Sequence, residues 1–138
     1  LNVTLNGALA GLVVITADPY SPSPEIAVLY GMLGGITIPF AMTLLEKWGI
    51  DDPVGAISVH GIAGILGLLL VPIFNSDSTV LAQSIGIVTI GGFVFVTSLG
   101  VWWVLHKTIG IRVGKKEEDV GSDMYEGTGN AYPEFMDK

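Results

Sequence analysis

Three long uncharged stretches constrain the fold of this chain more than any other feature of its sequence. Residues 26–45, 54–74 and 80–105 each lack Asp, Glu, Lys and Arg. A membrane-spanning helix needs about 20 predominantly apolar residues, and each stretch supplies that number. Half of all residues are hydrophobic, and the 19 glycines suit closely packed membrane helices. The sequence therefore predicts an all-α integral membrane protein.

A fourth apolar stretch, residues 5–17, is short for a span and begins near the first residue. No basic region or cleavage site accompanies it, so it does not have the pattern of a signal peptide. We interpret it as a helix that has lost its beginning, and we expect the chain to be the C-terminal part of a larger membrane protein. The predicted helices are 5–17, 26–46, 53–74 and 80–112, and an acidic tail follows at 114–138.

Basic residues in the connections predict the orientation of these helices. Between residues 18 and 25 and between 75 and 79 there is no Lys or Arg, whereas five basic residues occupy the other connection and the stretch after residue 105, namely Lys47, Lys107, Arg112, Lys115 and Lys116. Positive charges stay on the cytoplasmic side, so the C-terminus is predicted to be cytoplasmic in a plasma or inner membrane. The tail has three lysines against seven acidic residues, which argues against nucleic acid and anionic lipid as its partners.

Two helix boundaries follow from local sequence. Asp52 is suited to cap a helix that has Pro53 at its first position. Residues 80 to about 112 contain no proline, so the last helix is predicted to be the longest and to continue unbroken through Gly91 and Gly92.

His60 is the only ionisable side chain between residues 54 and 74. At membrane depth its charged form is costly, and the two ring nitrogens of its neutral form need partners. In an α-helix His60 shares one side with four small residues, Ala56, Ala63, Gly64 and Gly67. That side suits close helix contact or a narrow cavity. A core histidine bonded to a carbonyl is the alternative, but inside a membrane span we favour function.

Four segments resemble the ammonium transporter family (Amt/Mep/Rh), specifically its Amt branch: NGALAGLVVITA, IDDPVGAISVHGIAGILG, LAQSIGIV and TIGIRVGKKEEDVGSDM. The resemblance extends from Asn6 to about Tyr132. It implies a homotrimer in which each subunit has eleven helices and its own narrow apolar pore for ammonium or ammonia. Ten of the helices form two inverted halves, and the four segments here match the last four of the eleven. The remaining N-terminal helices and the lipid bilayer are then obligatory partners.

The resemblance also implies roles for individual residues. His60 matches the second of two histidines in mid-pore, the first of which belongs to the other half of the fold. Ala56 matches a position of the pore wall on the cytoplasmic side of that histidine, and Asp52 matches an acidic position at the inner end of the same helix. A neutral imidazole has one donor and one acceptor, so it can bond ammonia and relay a proton.

The tail departs from the family pattern. Where relatives have a His-Gly-Glu element, this chain has Gly127, Thr128 and Gly129. The resemblance implies a PII-type signalling protein as a partner of the tail, and this substitution places that mode of regulation in question.

Three hypotheses remain open from the sequence. The first is a transporter; the second is an ammonium sensor or non-conducting subunit of the same fold that signals through its tail; the third is a helix-packing module without a site. An enzyme is not expected, since the sequence has no carboxylate pair, nucleophile–base set or metal cluster, and neither a metal nor a cofactor is predicted. The second histidine, His106, adjoins Lys107 at the inner surface, where solvation explains it.

Overall fold

The computed structural model describes residues 2–20 and 22–121, and this part of the chain consists of helices without a β-strand. The elements are α1 (Asn2–Ile15), α2 (Pro24–Lys47), a π-helical segment (Ile57–Ile62), α3 (Ala63–Phe74), α4 (Val80–Thr108) and α5 (Lys115–Val120). Three runs are long and apolar enough to cross a membrane, namely Pro24–Lys47, Ile57–Phe74 and Val80–Thr108. The predicted helical fold is therefore confirmed, and three of its helical runs have the length and composition that a membrane span requires.

The chain divides into two compact units, Leu1–Phe93 and Val94–Lys138. The first unit contains α1, α2, the π-helical segment, α3 and the first part of α4. The second contains the rest of α4 and α5.

Glycines allow the helices of the first unit to approach closely. A Cβ atom on Gly11 would lie 2.9 Å from the carbonyl oxygen of Gly31 on α2. A Cβ atom on Gly67 of α3 would lie 2.6 Å from the carbonyl oxygen of Val14. Real Cβ atoms do not fit at such distances, so α1 packs backbone to backbone against both α2 and α3, as small residues permit in membrane proteins.

The core of the first unit lies among α1, α2 and the run from Ile57 to Phe74. Its buried members are Ala10, Val14, Tyr30, Ile38, Val59 and Ala63. Tyr30 also carries a polar group into this core, and its hydroxyl donates to the carbonyl of Leu70 at 3.1 Å. The same ring meets Phe74 edge-on, with centroids 5.5 Å apart. Tyr30 thus ties α2 to the end of α3 through both packing and a hydrogen bond.

The longest helix in the described residues is α4, as predicted, and it continues through Gly91 and Gly92. Its 29 residues correspond to a length of about 43 Å, which exceeds the thickness of a bilayer core of about 30 Å. None of its residues is buried. A helix that is apolar all round requires other apolar surroundings, either lipid or further helices.

The predicted end of α4 at residue 112 was wrong, because the helix ends at Thr108. Gly110 has a φ of 75°, and its N–H bonds to the carbonyl of Leu105 at 3.3 Å. The left-handed glycine ends the helix, and its N–H satisfies a carbonyl of the last turn, which the continuous apolar pattern does not reveal.

The beginning of the predicted acidic tail is helical. α5 starts after Gly114, whose N–H donates to the Glu117 carboxylate at 2.8 Å. The guanidinium of Arg112 donates to the carboxylate of Glu118 at 3.2 and 2.5 Å. The hydrogen bonds and charge of Arg112 lower the pKa of Glu118. The altered tail residues Gly127, Thr128 and Gly129 lie outside the described part of the chain.

Candidate functional site

His60 lies on the π-helical segment, and its side chain is exposed on the wall of a cavity of about 460 Å³ within the first unit. The other residues of this wall come from α1 and the residues after it, the π-helical segment, α3 and α4: Val13, Thr16, Ala17, Gly61, Gly64, Ile65, Leu68, Gly86, Ile87, Ile90 and Gly91. Apart from the imidazole of His60 and the hydroxyl of Thr16, their side chains are apolar. The Thr16 hydroxyl donates to the carbonyl of Val13 at 2.7 Å. The imidazole is therefore the main polar group of an apolar cavity.

The predicted small-residue face of this helix is divided in the structure. Ala63 and Gly67 are buried against α1, as expected. Ala56 and His60 are exposed instead, and the half-buried Gly64 lines the cavity. The prediction that His60 lies on the same face as Ala63 and Gly67 was wrong, because it assumed α-helical geometry where the backbone is π-helical.

Asp52 binds the start of this helix. One carboxylate oxygen accepts the N–H of Ile57 at 3.0 Å, and the other accepts both the N–H and the hydroxyl of Ser58 at 2.9 Å each. Burial raises the pKa of Asp52, but the bonds from Ser58 and Ile57 outweigh it and hold this pKa below the ordinary value. The carboxylate therefore serves as a charged helix cap.

The helix does not begin at Pro53 as predicted. Pro53 and Val54 form a turn, Gly55 follows with a φ of 77°, and helical structure starts at Ala56. A proline at the first helical position was a reasonable inference from the sequence. Gly55 overrides it, because its left-handed backbone redirects the chain between the turn and the helix.

Asn6 of α1 packs directly on this turn. Its side chain is buried, and its amide donates to the carbonyl of Val54 at 3.2 Å and to the side chain of Asn2 at 3.1 Å. A Cβ atom on Gly55 would lie only 2.4 Å from the Asn6 amide nitrogen. Gly55 is thus required both for its backbone conformation and for the space that Asn6 occupies.

Sequence reasoning missed two of the residues that shape this site, Asn6 and Ser58. They are the buried polar residues of the described chain. Each carries a weak signal in the sequence: Asn6 is an amide near the start of an apolar helix, and Ser58 is a hydroxyl just after a capping aspartate. Neither signal identifies the hydrogen-bond partner of the residue, because that partner depends on how the chain folds back on itself.

The remaining predicted positions are less closely connected to the cavity. Ala56 is exposed one turn before His60 and is not part of the cavity wall. Asp52 lines a separate cavity of about 190 Å³ with Glu46 and Asp51. His106 is exposed near the end of α4 in the second unit. Within residues 2–20 and 22–121, no three His, Asp or Glu side chains come together as metal ligands.

Comparison with known proteins extends these observations. The sequence profile described as Ammonium Transporter Family matches residues 1–132. Ammonium transporter Amt2 of Archaeoglobus fulgidus is 36% identical over an alignment that covers 99% of this chain and 33% of that protein. For Ammonium transporter Amt2 of Methanocaldococcus jannaschii the identity is 35%, with 95% and 33% covered. A putative ammonium transporter of Synechocystis, sll1017, is 39% identical, with 91% and 29% covered.

The chain spans about one third of the length of these curated relatives. No solved structure matches it at a significant level. The matched region includes Asp52, Ala56 and His60 as well as the helices that line the cavity. On the extent of this match and its transmembrane helices, the chain belongs to the ammonium transporter family.

Proposed function

We propose that this chain supplies the histidine-bearing part of a transmembrane pathway for ammonium or ammonia. The observation that supports this most strongly is the position of His60, whose imidazole faces an apolar cavity rather than the packed core. Membership of a family whose relatives are named as ammonium transporters gives the substrate. His60 is then the group that contacts the substrate in mid-pathway.

The chemistry of the cavity suits ammonia better than a metal cation. An apolar wall offers no replacement for the water shell of a potassium ion, so an ion that cannot lose its charge is rejected. Ammonium can leave its proton behind and cross as neutral ammonia. A neutral imidazole can both donate to ammonia and accept from it, so it can guide the molecule and relay a proton. In this proposal Ala56, which is exposed one turn before His60 and outside the cavity, lines the continuation of the pathway on the inner side of His60. Asp52 holds the inner end of the helix.

The pathway is incomplete in this chain alone. The chain covers one third of its relatives, and α4 carries apolar side chains on every side. We propose that the last four of eleven transmembrane helices are represented here by α1, α2, the run from Ile57 to Phe74, and α4. The earlier helices then close the cavity and bring a second imidazole, and three such subunits assemble. The basic residues after α4 support a cytoplasmic C-terminus in the plasma or inner membrane. A PII-type protein is the proposed partner of that terminus.

A chimera tests the proposal. The matching third of Archaeoglobus fulgidus Amt2 is replaced by this chain, and uptake of labelled methylammonium is measured in vesicles. We expect uptake by the chimera, and we expect His60→Ala to reduce it to the level of empty vesicles. The matched control is His106→Ala, which removes the other histidine of the chain from the end of α4 and should leave uptake unchanged.

Two outcomes count against the proposal. Unchanged uptake in the His60→Ala chimera means that the imidazole does not take part in transport. A chimera that reaches the membrane and binds ammonium without any uptake points to a sensor or non-conducting subunit instead. This chain reconstituted alone should show no methylammonium uptake above empty vesicles.

A further inference from the structure

The backbone around His60 has an unusual geometry that the proposed function does not by itself explain. Residues Ile57–Ile62 form a π-helical segment, and the N–H of Ala63 bonds to the carbonyl of Ser58, five residues earlier. π-Helical turns are rare and occur mostly as single insertions within α-helices, frequently at functional sites. The segment here lies directly before α3, so it determines how His60 is oriented relative to α3.

The π-helical turn decides which side chain faces α1. The buried face of α3 is defined by Ala63, Gly67 and Val71. At about 100° per residue, an α-helix continued backwards from Gly67 would bring His60 to within about 20° of the same direction. In the structure, however, Val59 is 1% exposed, Ser58 is 0% exposed and His60 is exposed. The π-helical turn therefore replaces His60 by Val59 in the core and leaves the imidazole on the cavity wall.

Ser58 is the residue through which this turn is held. Its carbonyl accepts the five-residue bond from Ala63, and its hydroxyl donates to Asp52 at 2.9 Å. The turn at Pro53 and Val54, which precedes this helix, is held by α1, because the Asn6 amide donates to the carbonyl of Val54. In an α-helical register the Ser58 side chain would be rotated by about 100° relative to α3 and would lose the Asp52 carboxylate.

We propose that Ser58 is a positioning residue that holds the π-helical turn and thereby directs His60 into the cavity. The Asp52–Ser58 hydrogen bond selects this register over the α-helical one. A hydrogen bond to a charged group is worth enough to shift such an equilibrium by about tenfold. The consequence for transport rests on the proposed function, whereas the orientation of His60 can be measured without it.

Thiol reactivity reports the register directly, because the chain has no cysteine of its own. Single cysteines replace Val59, His60 or Ala63 in the full 138-residue chain in membrane vesicles, and their reaction with a membrane-permeant maleimide is timed. We expect the cysteine at position 60 to react rapidly and those at 59 and 63 slowly. With Ser58→Ala added, the rate at position 60 should fall about tenfold while the rate at 59 rises.

Thr37→Ala is the matched control. It likewise removes a hydroxyl, but one on a half-buried residue that donates to the carbonyl of Leu33 within its own helix at 2.8 Å. This variant should leave the three rates unchanged. Asp52→Ala should shift the rates at least as far as Ser58→Ala does. Adding Ser58→Ala to it should have little further effect, because Asp52→Ala already removes the acceptor of the Ser58 hydroxyl.

The proposal is overturned if Ser58→Ala leaves the maleimide reaction rates at positions 59, 60 and 63 unchanged. Equal, rapid reaction at all three positions also overturns it, because Ser58 would then be needed for folding rather than for the register. If Ser58→Ala shifts the reaction rates as expected but the chimera with Ser58→Ala shows normal methylammonium uptake, Ser58 remains the positioning residue. That result would contradict the role of His60 in transport instead.

Discussion

Asp52 and Ser58 are joined by two hydrogen bonds, since one carboxylate oxygen of Asp52 accepts both the N–H and the hydroxyl of Ser58 at 2.9 Å. This contact connects the loop before the third span to the turn that carries His60. It also links a charge outside the span to the orientation of a side chain within it. The stability of the site should therefore depend on the ionisation of Asp52.

Acid should weaken the start of this helix. The pKa of Asp52 is lower in the folded protein than its ordinary value of 3.8. A lowered folded pKa stabilises the protein above the unfolded value, and that contribution is lost as the pH falls through the folded pKa. We expect the melting temperature of the chain in detergent to fall as the pH decreases below about 4. Circular dichroism at 222 nm measures this transition.

Asp52→Asn should lower the melting temperature at neutral pH and reduce its dependence on pH below about 4. Asparagine can still cap a helix, so the expected cost is that of the lost charge near the helix N-terminus, about 0.3–1 kcal/mol. Asp51→Asn is the matched control, because Asp51 is an exposed neighbour in the same loop. If both variants retain the same acid response as the unaltered chain, Asp52 is not the group responsible.

Gly55→Ala should destabilise the chain more than Gly49→Ala. Both glycines have positive φ values, 77° and 69°, so a Cβ atom strains the backbone at either position. Only at Gly55 does that atom also meet a neighbour, the Asn6 amide at 2.4 Å. We expect about 1 kcal/mol for the strain alone and a further 1–3 kcal/mol for the overlap. If urea titrations show that the two variants lose the same free energy of unfolding, Asn6 moves aside without cost.

Gly67→Ala should separate α1 from α3. The added Cβ would lie 2.6 Å from the carbonyl oxygen of Val14, which is backbone and cannot rotate away. Overpacking of this kind typically costs about 1–3 kcal/mol. Gly92→Ala provides the comparison, because no atom lies within 4 Å of its added Cβ. That variant should be neutral or slightly stabilising, since alanine favours helix more than glycine does.

The spans could be predicted because they depend on local composition. A stretch of some 20 uncharged residues needs a hydrophobic environment whatever its neighbours, and such stretches became α2, the run from Ile57 to Phe74, and α4. The unbroken passage of α4 through Gly91 and Gly92 followed from the absence of proline in the same way.

The details of the site could not be predicted, because they depend on contacts across the sequence. An α-helical period fitted the residues around His60 well, and nothing in that pattern indicates a π-helical turn. The turn relies on the carboxylate of Asp52, which bonds to Ser58 six residues later. It also relies on the amide of Asn6, which bonds to the carbonyl of Val54, 48 residues later. Likewise the helix expected to start at Pro53 starts at Ala56 instead, because Gly55 adopts a left-handed conformation. The lack of space for a Cβ atom beside Asn6 is a contact across the sequence that no local pattern indicates.

Ion selectivity of the His60→Ala variant tests the central claim most directly. Ammonium and potassium currents are recorded from the chimera with and without the substitution, and size-exclusion chromatography checks its assembly. We predict normal assembly together with loss of the ammonium current, or with a leak that no longer distinguishes ammonium from potassium. Normal assembly with unchanged selectivity would contradict the role assigned to His60, and misassembly with unchanged selectivity of the surviving protein would make it a structural histidine.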